Sequence, residues 1–159
     1  MAKETKIQYR GHCPCCGNQQ AVLRNGQGHM SKHGYTVKFG WFEGVCPGQN
    51  YQPMEINRTQ TDKIILQVRT EVQSLRQRVQ KLEEGTYDTT ALLIPKVPFM
   101  PKPELIPFAE ANIYAQNTAL EVLKTKFHYR AKQGEAFADY LEVTLNAVYG
   151  KALIKVEKK

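Results

Sequence analysis

Nothing in the 159-residue sequence approaches the ~18 consecutive apolar residues of a membrane-spanning helix. The first ten residues, Met1 to Arg10, are polar and lack the apolar stretch of a secretory leader. Catalytic signatures are missing too. There is no phosphate-binding glycine loop, no nucleophile elbow and no His-Glu-x-x-His. The deaminase pattern fails because neither His29 nor His33 has a glutamate two residues on. Carboxylates are scattered without an acid/base pair. These absences point away from a membrane protein, an exported protein and an enzyme of familiar type. The expected setting is a reducing cytoplasm, where four cysteines imply a metal or free thiols rather than disulfides.

What is present is unevenly distributed. The chain carries 22 basic and 15 acidic side chains, a net charge of +7. Residues 1–52 hold Lys3, Lys6, Arg10, Arg24, Lys32 and Lys38 against only Glu4 and Glu43. A basic field of this kind favours an anionic partner such as nucleic acid. All four cysteines lie in the same segment, as do eight of the eleven glycines, which fits a loop-rich module. Four parts are expected: a metal-binding module over 1–52, a helix over 61–84, a Pro-rich extended connector over 85–108 and a helical region over 109–159. The fold class is α+β.

The Cys13-Pro14-Cys15-Cys16-Gly17 segment contains Cys-Pro-x-Cys-Gly. Thiolates at i and i+3 on a tight turn face one ion, and zinc seeks two further sulfur or imidazole ligands. One completion, Cys13-x2-Cys16-x12-His29-x3-His33, fits the Cys2His2 finger formula. It lacks that family's aromatic and leucine core positions, which here are Gln20 and Gly26, and Asn25-Gly26-Gln27-Gly28 resists a helix. The preferred completion is Cys13, Cys16, His33 and Cys46. Asn25-Gly26 then turns a hairpin between Gln20–Arg24 and Gln27–Ser31, and Tyr35–Phe39 alternates as a further strand.

This second arrangement resembles the short Cys3His zinc-ribbon modules of small phage and bacterial proteins of poorly defined role. The likeness covers residues 10–50 and rests on Cys-Pro-x-Cys-Gly, His33-Gly34 and Cys46-Pro47-Gly48. It implies a Zn2+ ion on those four residues and nothing about activity. Cys15 is an outward-facing spare thiol or a substitute for Cys13. His12 is a candidate neighbour supporting the ligands, with a solvent-facing side chain the preferred reading.

Ile65, Val68, Val72, Leu75, Val79 and Leu82 repeat by three and four, with β-branched residues at a and leucine dominant at d. In a parallel pair Glu71 would face Arg76 and Arg78 would face Glu83. The stripe suggests self-association as a homodimer, although an amphipathic helix packed on its own chain uses the same residues. Five prolines between Pro95 and Pro107 exclude a helix there and suggest an extended connector with some apolar residues against a surface. Beyond it a helical hairpin is expected, broken at Gly134. Its first face carries Ile113, Leu120, Leu123 and Phe127, and its second Phe137, Leu141, Leu145, Val148 and Ala152. A rival pairs Leu141–Leu145 with Ala152–Val156 as strands.

The resulting expectation is a zinc-binding accessory or regulatory protein. Arg10, Arg24, Lys32 and Lys38 would contact nucleic-acid phosphates, and Trp41 would stack on a base. The alternative is a protein-binding adaptor or inhibitor, of the host-directed kind a phage would encode, using the Pro-rich segment and exposed aromatics.

Overall fold

The computed structural model describes residues 6–34 and 43–158. Lys38, Trp41 and the expected strand Tyr35–Phe39 lie outside the described residues. Among the described residues seven elements follow one another. They are β1 (Lys6–His12), β2 (Gln19–Ala21), α1 (Thr59–Glu83), β3 (Leu93–Pro95), β4 (Leu105–Pro107), α2 (Ile113–Val148) and β5 (Ile154–Lys158). Short 3-10 turns punctuate them at Arg24–Gly26, Pro47–Asn50 and Phe108–Glu110. The fold is mixed α+β, with two long helices and two small antiparallel sheets. Among the described residues no helix is long and apolar enough to cross a membrane.

Two compact units emerge: Met1–Thr70 together with Gln133–Lys159, and Glu71–Lys132. In the first, β1 is the middle strand of the order β2-β1-β5. Arg10 pairs with Ala21 on one side and with Ile154 on the other. The fully buried Phe137, Leu141, Leu145, Val68, Met30 and Met54 form its apolar interior. Arg69 of α1 reaches Glu142 of α2 at 2.6 Å and Asp139 at 3.4 Å, both exposed pairs. At the helix start Asn57 Oδ1 accepts from the Thr59 N–H, a capping bond that satisfies one of the free donors of the first turn.

In the second unit α1 ends in a left-handed cap. Gly85 has φ +71, its N–H donates to Leu82 O, and the Thr86 N–H donates to Lys81 O. This pair of bonds is the Schellman arrangement and requires glycine at the turning position. Val72, Leu75 and Val79 are buried here, Arg78 lies 5.7 Å over the Phe127 ring, and Tyr87 packs 6.2 Å from the same ring. Gln116, a polar interruption of the expected apolar face, donates from Nε2 to Phe108 O and Ala111 O and so ties down the turn before α2.

Three expectations need correction. First, the C-terminal helical hairpin is a single 36-residue helix running through Gly134, which is buried in its interior. A lone glycine costs a helix about 1 kcal/mol relative to alanine and does not stop it when helix formers flank it on both sides. The chain stops instead at Gly150, with φ +77. Ile113 on the expected face is 70% exposed, and Ala115 is buried in its place.

Second, the residues expected to prolong the last helix form β5, in which Ile154 and Val156 alternate with Lys155 and Glu157 at the strand period. The rival hairpin is equally incorrect, because Leu141–Leu145 is helical and β5 pairs with β1.

Third, the Pro-rich connector contains a two-stranded ribbon. Lys96 N–H donates to Glu104 O and Phe108 N–H to Leu92 O, which places the hydrogen-bonded rungs at 92/108, 94/106 and 96/104. Pro95 and Pro107 fall on the intervening rungs, where an N–H would point away from the partner strand. Ile94 is buried on the inner face, as the expected surface contact requires.

Ile65, Val68, Val72, Leu75 and Val79 are buried within one copy of the chain, and Leu82 is half-buried. This burial is the arrangement of an amphipathic helix packed on its own chain, the alternative to a partner helix.

Candidate metal centre

β1 runs directly into the first ligand turn. Its last residue, His12, precedes Cys13, and the Cys13 N–H donates to Asn18 O while the Gly17 N–H donates to Cys13 O. The chain reverses there because Gly17 takes φ +76. A Cβ on Gly17 would lie 2.5 Å from the Tyr140 ring, whose hydroxyl donates to Gly17 O. The α2 helix thus packs against the turn as tightly as glycine allows. Within the turn the Cys15 N–H points at Cys13 Sγ, 3.4 Å away.

The second turn repeats this device. Cys46 stands before the Pro47–Asn50 turn, and the Gly48 N–H points at Cys46 Sγ, also at 3.4 Å. Backbone N–H groups aimed at sulfur stabilise negative charge on it. Cys46 is brought to His33 by its own backbone, since the Cys46 N–H donates to His33 O and Gly34 bridges Val45. Upstream, the chain reverses at Asn25-Gly26, but the expected hairpin strands Gln20–Arg24 and Gln27–Ser31 do not form: Arg24–Gly26 is a 3-10 turn, and β2 pairs with β1 instead. Arg24, Asn25 and Gly26 all have positive φ, and Val22 bridges Met30 across the reversal. This returns the chain to Ser31, whose carbonyl accepts from His33 Nδ1 at 2.7 Å. With its proton on Nδ1, the imidazole directs a free Nε2 lone pair inward.

The ligand atoms of Cys13, Cys16, His33 and Cys46 all lie within 4.8 Å of one another. Cys13 Sγ is 3.6 Å from Cys46 Sγ, and Cys16 Sγ is 3.5 Å from His33 Nε2. An ion with sulfur at ~2.3 Å and nitrogen at ~2.0 Å in a tetrahedron has edges of roughly 3.8 and 3.5 Å. The residues therefore fit a metal ion. His29 is exposed and outside the group, which removes the Cys2His2 completion. Cys15 is fully buried but is not a member either.

The electrostatics of the group call for a cation. Hydrogen bonding with Cys15 pushes the Cys13 thiol up, and hydrogen bonds with Cys13 and Cys46, with burial, push the Cys16 thiol up. Cys46 is driven down, because Cys13, Cys15 and Cys16 direct hydrogen bonds at its sulfur. In a dry pocket each further thiolate is costly without a positive ion among the sulfurs. Loading a dication should therefore displace thiol protons, and apparent affinity should rise with pH by about tenfold or more per unit near neutrality. Chelator competition at two pH values, with proton release followed in weak buffer, measures this. A pH-independent affinity would contradict it.

One supporting residue carries no signal in the sequence. Glu55 is buried, and its carboxylate accepts from the His12 N–H at 2.9 and 3.1 Å and from His12 Nδ1 at 2.6 Å. His12 is thus held by a carboxylate and only 17% exposed at its side chain. The Met54 N–H donates back to His12 O, so the strand end entering Cys13 is clamped from both sides.

The basic residues are dispersed. Arg10 is half-buried in β1, with no hydrogen-bond partner at its buried Nε among the described residues. Lys32 and Arg24 are exposed. Arg24 lines a groove of about 680 Å³ with Lys6, Lys158, Tyr9 and Asn25, and among the described residues no acidic side chain lines it. Lys6 and Lys158 come together because their strands pair at that rung. No protein-family model, curated protein or solved structure matches the chain.

Proposed function

We propose that the chain is a non-enzymatic zinc-binding accessory protein that binds nucleic acid beside its metal-stapled sheet. Three thiolates and an imidazole are the donor set zinc prefers, and four protein ligands leave no open position for a catalytic water. The ion is then structural, holding turns that glycine-rich sequence would not hold alone.

The observation that carries nucleic-acid binding is the groove where Lys6, Arg24 and Lys158 meet, with an aromatic ring, Tyr9, in its wall and no acidic lining among the described residues. Cations there suit phosphates, and the ring offers a stacking surface. The test is a titration of labelled single-stranded RNA and duplex DNA across a salt series. Binding should weaken steeply with salt, and Arg24→Ala with Lys6→Ala should flatten the log–log slope by about two. No binding at low salt would refute the reading.

A specific observation also favours the adaptor reading. Phe99 is 80% exposed at φ +66 on the ribbon tip, and Leu93, Val97, Met100 and Leu105 are each more than half exposed. Apolar side chains gathered on one exposed hairpin are typical of protein contacts. On that reading Phe99→Asp, and not Arg24→Ala, abolishes capture of a partner, and capture persists at high salt.

A further inference from the structure

We infer that β5 is a self-recognition edge, on which a second copy of this chain pairs antiparallel about a two-fold axis at Val156. β5 is the outer strand of the β2-β1-β5 sheet, all five of its residues are exposed, and among the described residues nothing pairs with its outer side.

The direction of its polar groups follows from the neighbouring ladder. The Val22 N–H donates to Tyr9 O and the Cys13 N–H to Asn18 O, so odd-numbered residues of β1 turn their backbone groups toward β2. Even-numbered residues turn toward β5, where Gln8 meets Val156 and Arg10 meets Ile154. Lys155 and Glu157 therefore aim their N–H and C=O groups outward, at the open edge. An edge of unpaired donors and acceptors is a template for another strand.

Charge selects both partner and register. With the axis at Val156, Lys155 of one copy lies opposite Glu157 of the other, twice over, and both rungs are hydrogen-bonded ones. An axis one residue earlier sets Lys155 against Lys155, and one residue later sets Glu157 against Glu157. Lysine on an edge usually discourages pairing; here a glutamate answers each one. The central rung brings two valines together, on the face that also carries the 40% exposed Ile154. Lys155 Nζ lies 5.9 Å over the Tyr9 ring of its own chain, on the face that Glu157 of the second copy would share. The product is one six-stranded sheet with the two basic grooves on it related by the two-fold axis. The apolar stripe of α1 takes no part.

Sedimentation of the metal-loaded full chain up to about 1 mM tests this. The wild type should form a dimer. Glu157→Lys and Lys155→Glu should each weaken it by about tenfold or more, because attraction becomes repulsion on two cross-strand pairs. Both variants should keep their metal. Mixing the two should produce a heterodimer, since each lysine then meets a glutamate. A monomeric wild type, a dimer indifferent to either swap, or variants that fail to associate on mixing would overturn the inference.

Discussion

A Cys46→Ser chain is expected to lose its metal and, with it, the order of residues 13–33. Serine removes one of three thiolates, leaving two sulfurs and an imidazole that hold a soft dication far more weakly. The loss spreads because each ligand is also a structural joint. The Cys46 N–H donates to His33 O, and Cys46 Sγ receives the Gly48 N–H. Among the described residues, the segment that carries the ligands buries, besides its cysteines, Val22, Met30, Met54, Pro14 and Pro53. Such a core is too small to order glycine-rich turns unaided. The helices should survive, because the stripe Val68, Val72, Leu75 and Val79 is buried without reference to the ligands. Elemental analysis should find the metal reduced from one per chain to a small fraction. Amide exchange of residues 13–33 should accelerate at least about a hundredfold while that of α1 changes little. His29→Ala should leave the metal unchanged. Full metal in the Cys46 variant, or its loss in the His29 variant, would contradict the ligand assignment.

Gly48→Ala should be nearly as damaging, by a route no hydropathy argument reveals. A Cβ at position 48 would stand 2.1 Å from Cys13 Sγ, 3.3 Å from Cys46 Sγ and 3.6 Å from His33 Cε1. An ordinary carbon–sulfur contact needs more than 3 Å, so Cys13 Sγ must shift by about 1 Å or more. A free thiol can make that shift by rotating. A ligand cannot, since metal–sulfur distances tolerate only about 0.2 Å. The two requirements collide only when the metal is bound. Metal affinity should fall about a hundredfold or more, while the thermal stability of the metal-free protein changes by less than about 1 kcal/mol. Equal losses in both forms would mean that Gly48 serves the fold generally and not the ligand cage.

Much of this centre was legible in the chain. Cys-Pro-x-Cys-Gly and Cys-Pro-Gly announce turns whose amides point at sulfur, and Asn25-Gly26 announces the reversal that returns His33 to them. The central helix was legible because it lacks Gly and Pro over 25 residues and repeats its apolar positions by three and four. What covers that stripe was not, since periodicity names a buried face and not its occupant. The ribbon at Pro95 and Pro107 escaped because proline forbids only half the rungs of a ladder, and composition does not say which half. β5 escaped for a different reason. Five alternating residues after a long helix carry little local information, and their strand partner lies at the other end of the sequence. Glu55 left no trace at all; its role exists only once β1 is laid beside it.

The β1–β5 pairing joins residues 144 to 152 positions apart, from Arg10 with Ile154 to Lys6 with Lys158. During synthesis β1 leaves the ribosome with one flank bare and waits for nearly the whole chain to follow. Contacts of such separation form slowly, because a long loop must close first. The four metal ligands, by contrast, span only positions 13 to 46 and are complete early. A nascent chain can thus collect its ion well before the sheet closes.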